Sequence, residues 1–87
     1  MKLTPEEIKS VQQDMHRVWD YIASDIGEAE GVGNTIPRDE VIELVVDADR
    51  LLTHGTNKEA VKKLYALDYK EIQKIGREAF PFKRYEV

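Results

Sequence analysis

Cysteine is absent from this chain, so neither a disulfide framework nor a thiolate metal ligand can contribute to its fold. Histidine is scarce, with only His16 and His54, too few for a metal site that needs three or four converging ligands. Long apolar runs are also missing. The longest, around Leu44-Val45-Val46, is far too short to cross a bilayer. The opening Met1-Lys2-Leu3-Thr4-Pro5-Glu6-Glu7 lacks the apolar segment of a signal peptide. Together these absences predict a soluble, cytoplasmic protein without a cofactor or metal.

What the chain does have is charge, and the charge is split by position. Residues 1–55 carry five basic and twelve acidic side chains, whereas residues 56–87 carry eight and five, for an overall net of −4. An acidic block joined to a basic, aromatic-containing block suggests two surfaces with different partners, or one protomer laid head-to-tail on another. With 87 residues there is room for one domain, 1–87. A chain this short removes only about 60–65% of its unfolded surface from water, and a homodimer would relieve that thin margin.

Periodicity predicts an all-α fold, a small four-helix bundle-like domain. Thr4-Pro5-Glu6-Glu7 is a helix start, with Thr4 as cap, Pro5 in the first turn and Glu7 closing a capping box. Apolar residues then recur at Ile8, Val11, Met15, Val18, Trp19, Ile22 and Ile26, one buried stripe on a helix of about 22 residues that Gly27 should end. Residues 27–36 contain three glycines and read as a mobile crossover. Gly31-Val32-Gly33-Asn34 has no strand before it and no Gly-Lys-Ser/Thr after it, so it does not read as a phosphate loop.

A second helix is expected over 37–54. Its apolar residues, Val41 through Leu52, cover more than half the circumference, which places it centrally. His54-Gly55 should close it with a left-handed cap. Two short helices follow, each opened by a capping box, Thr56-Asn57-Lys58-Glu59 and Asp68-Tyr69-Lys70-Glu71. Gly76 inside the last helix weakens it unless another helix approaches closely. An extended aromatic tail begins at Phe80-Pro81-Phe82, with both phenylalanines expected to fold back on the core.

No arrangement points to catalysis. Ser10 and Ser24 lack a strand-turn-helix elbow, and His16 with Asp20 reads as a boundary pair. A helical domain this small leaves little volume for a substrate cavity, so the chain is read as non-enzymatic.

Its function is expected to be protein binding, as an accessory subunit or inhibitor acting through an acidic helical surface on a basic partner. The contact residues expected are Glu40, Glu43 and Asp47, with Tyr21 on the polar face of the first helix. Asp49 is added to them: on the wheel it falls inside the apolar arc, where a carboxylate needs a partner, either a Tyr, Arg or Lys of the same chain or a residue of the bound protein. Asp14 is counted with the exposed acids of the same face. The competing reading is a small nucleic-acid-binding protein using Lys70, Lys74, Arg77, Lys83 and Arg84.

Overall fold

The capping box at Thr4 opens the longest element. Thr4 N–H donates to Glu7 Oε1, and Glu7 N–H donates to Thr4 Oγ1, both at 3.1 Å. From there α1 runs Pro5–Glu30 in the computed structural model, which describes residues 3–30 and 37–81, with side chains for 3–24, 37 and 39–81. The helix passes through Gly27, expected to end it, for another turn of the good helix formers Glu28, Ala29 and Glu30. The remainder of the expected crossover, 31–36, and the tail from Phe82 lie outside the described residues.

Four shorter helices pack around α1: α2 Arg38–Val45, α3 Ala48–His54, α4 Lys58–Leu64 and α5 Tyr69–Ala79. All four touch α1, while α2 also meets α3 and α5, and α3 meets α4. The described residues contain five helices and no strand. The core is continuous: Val11, Met15, Val18 and Trp19 of α1 meet Val41, Ile42, Val45, Leu51, Val61, Leu64, Ile72 and Ile75. Phe80 folds back as expected and is fully buried, its ring 4.3 Å from that of His16.

The expected second helix is two helices. Asp47 adopts an extended backbone, with φ −65° and ψ 127°, and its side chain accepts from Arg50 N–H at 3.2 Å. An aspartate satisfies the orphan donors of a new helix start better than it serves a helix interior. This break explains the wide apolar arc, since two short stripes with different phases overlap on one wheel. It also corrects the placement of Asp49. In the first turn of α3 its side chain faces solvent, not the core.

A second correction concerns Asp14. Its carboxylate is fully buried and accepts from Thr56 N–H at 3.1 Å, Thr56 Oγ1 at 3.0 Å and Asn57 N–H at 3.4 Å. With Thr56 engaged in this way, the cap of α4 passes to Asn57, whose side chain accepts from Ala60 N–H. Asp68 caps α5 as expected, accepting from Glu71 N–H at 2.9 Å.

Gly55 is extended, at φ −73° and ψ 146°, so it is not the left-handed cap its position suggests. Proximity explains it better: a Cβ there would clash with Leu51 O and lie 3.1 Å from Asp14 Oδ2. At Gly76 the expected close approach is present. A Cβ would sit 2.9 Å from Val46 Cγ1 and 3.3 Å from Ile42 Cγ2, so the glycine lets α5 settle onto α2.

Candidate functional site

The docking of α3 on α1 sets one aromatic pair on the surface. Tyr21 is 55% exposed, and its ring stacks on His54 with centroids 4.2 Å apart and planes 19° from parallel. The periodicity of α1 turns Tyr21 outward because Val18 and Trp19 take the inward positions. His54 reaches it from the last turn of α3.

Two shallow depressions flank this pair. One is lined by Arg17, Asp20, Tyr21 and Ser24, and the other by Asp47, Asp49, Arg50, Thr53 and His54. The stack therefore joins Tyr21 to Asp47 and Asp49, three of the residues singled out from sequence. Asp47 is partly occupied, since it caps α3 and its other oxygen lies 3.4 Å from Arg50. Asp49 is exposed beside it. Glu40 and Glu43 stand exposed on α2 but line neither depression. His54 is the member the sequence reading missed; only the packing of α3 on α1 brings it to Tyr21.

The basic residues of the competing reading are differently placed. Arg77 Nη1 lies 2.6 Å from Asp39 Oδ1, tying α5 to α2. Lys63 Nζ donates to Glu7 Oε2 at 2.7 Å, tying α4 to α1. This ammonium, with the Thr4 backbone N–H, holds the Glu7 carboxyl below the usual carboxylate range. Both pairs join the acidic block to the basic block, so part of the positional charge split is used within one chain. Lys70 and Lys74 are exposed on α5, and Lys83 and Arg84 lie outside the described residues.

The core edge carries one more polar contact. The hydroxyl of Tyr65 donates to the carbonyl of Val46, an acceptor left over where α2 ends. Burial, followed by the charge of Asp47 and the neighbouring Tyr69, pushes this phenol well above its ordinary range. His16, read from sequence as a partner of Asp20, instead packs its ring on Phe80. Among the described residues no three His, Cys, Asp or Glu side chains converge as a metal site would require, and no helix is long and apolar enough to cross a membrane.

The chain matches no protein-family model, no curated protein and no solved structure.

Proposed function

We propose that this protein is a non-enzymatic interaction module of the cytoplasm, an accessory subunit or inhibitor, that binds a basic surface on another protein. The observation that carries this reading is the solvent-facing Tyr21–His54 stack with Asp20, Asp47 and Asp49 around it. A stacked aromatic has already lost much of its side-chain freedom, so it can bury apolar area at reduced entropic cost. The carboxylates around it would attract lysine or arginine and set the register of approach. Both depressions are shallow, which suits a protein surface better than turnover of a small substrate. Glu40 and Glu43 extend the same negative field along α2.

Nucleic-acid binding is the weaker alternative. A phosphate backbone needs several uncompensated cations along one track. Here Arg77 and Lys63 are held by Asp39 and Glu7, and Lys74 lies beside Glu71 and Glu78.

Site-specific photo-crosslinking tests the proposal. A benzophenone amino acid at position 21, in the full chain expressed in its host, should yield a discrete protein adduct. The same probe at exposed Lys62 should not. Adding Asp47→Lys and Asp49→Lys should abolish the adduct. Equal labelling from both positions, or an adduct indifferent to the charge reversals, would reject this face as the binding surface. A labelled DNA duplex bound in low salt and lost on Lys70→Glu with Lys74→Glu would favour the alternative.

A further inference from the structure

On another part of the molecule, a groove of about 420 Å³ runs between the start of α1, the α4–α5 turn and α5. Its floor is apolar, formed by Leu3, Ile8, Leu67 and Ile75. Its rim carries the carboxylates of Asp68, Glu71 and Glu78 against the single ammonium of Lys74. No ion pair holds Glu71 or Glu78 among the described residues. The contrast with Glu7 and Asp39, each committed to a cation of another helix, leaves this rim with uncompensated negative charge.

We infer that this groove is a second docking site, one that receives a basic amphipathic helix from a partner protein. Three features point to that occupant. The greasy floor calls for apolar side chains from one face of the ligand. The acidic rim calls for lysine or arginine flanking that face. An apolar slot between helices accepts side chains at i, i+3, i+4 and i+7, and the described residues offer no strand edge on which an extended peptide could pair. The groove shares no residue with the Tyr21 face, so it stands or falls independently of the function proposed above.

The probe is a synthetic helical peptide with leucines at i, i+3, i+4 and i+7 and lysines at the flanking positions. Titrated into the 15N-labelled full chain, it should shift the amide resonances of Ile8, Leu67 and Ile75 saturably. Glu71→Lys with Glu78→Lys, both exposed positions, should weaken binding by about tenfold or more, a loss on the order of 1.4 kcal/mol. Tyr21→Ala should leave it unchanged. A composition-matched peptide with scrambled leucines should bind more weakly, and a glutamate analogue should not bind.

Absence of shifts at the groove residues, or equal binding by the scrambled peptide, would overturn the inference. Binding that appears only after deletion of residues 82–87 would assign the groove to the chain's own terminal segment. Self-association lost on the same charge reversals would assign it to a second copy. Either result would also overturn it.

Discussion

The carboxylate of Asp14 and the hydroxyl of Thr56 meet at 3.0 Å across 42 residues of chain. The same carboxylate takes both the Thr56 and Asn57 backbone N–H groups, so a side chain of α1 organises the entry to α4. Its removal takes the acceptor from three donors at a part-buried site. Asp14→Ala is expected to cost about 3 kcal/mol, since bonds to a charged acceptor exceed ordinary ones and three are lost together. Thr56→Val keeps the backbone bond and should cost about 1 kcal/mol. Urea unfolding at constant slope reads both, and an Asp14→Ala loss under about 1 kcal/mol would show the cluster to be incidental.

Gly76 and Val46 form a steric pair. Alanine would gain up to about 1 kcal/mol of helix propensity in α5, but its methyl would press on Val46 Cγ1 at 2.9 Å. Valine is stiff at its branch point, so the contact cannot easily relax. Gly76→Ala is therefore expected to destabilise by about 1 kcal/mol net. In a Val46→Ala background the same change should become neutral or stabilising. A thermal double-mutant cycle measures the coupling, and additive effects would mean that α5 shifts freely on α2.

Tyr65 gives the fold an alkaline limit. Its phenol is raised in the folded state by burial first, then by Asp47 and Tyr69, while the unfolded phenol ionises near pH 10. The neutral hydroxyl therefore contributes stability that is fully present below about pH 10 and declines as pH rises above it. Tyr65→Phe should lower stability at neutral pH by about 1 kcal/mol, through the lost bond to Val46 O, and flatten the alkaline decline. Parallel denaturation curves from pH 8 upward compare the two proteins; identical slopes would exclude Tyr65 as the cause.

Several features could be read directly from the chain because their physics is local. The caps at Thr4 and Asp68 close hydrogen bonds within three residues, and the stripe from Val11 to Trp19 follows from helical pitch. Gly76 advertised a close approach because an interior glycine is otherwise unfavourable. The charge of Asp14 points it to solvent, whereas its spacing from Val11 and Val18 sets it on the buried stripe. The break at Asp47 was hidden for a related reason: one apolar-rich segment and two phase-shifted ones look alike on a single wheel.

By itself, the order of residues determined that the chain would coil, where most coils would start and which faces would seek shelter. Those outcomes depend on contacts within one helical turn. Which acid would meet which base, and that Tyr21 would lie against His54, was decided only by how α1 packs with α3 and α4 and how α5 packs on α2. Pairings between distant segments arise when burial of the shared interior fixes the helices side by side, and no spacing along the chain encodes that arrangement.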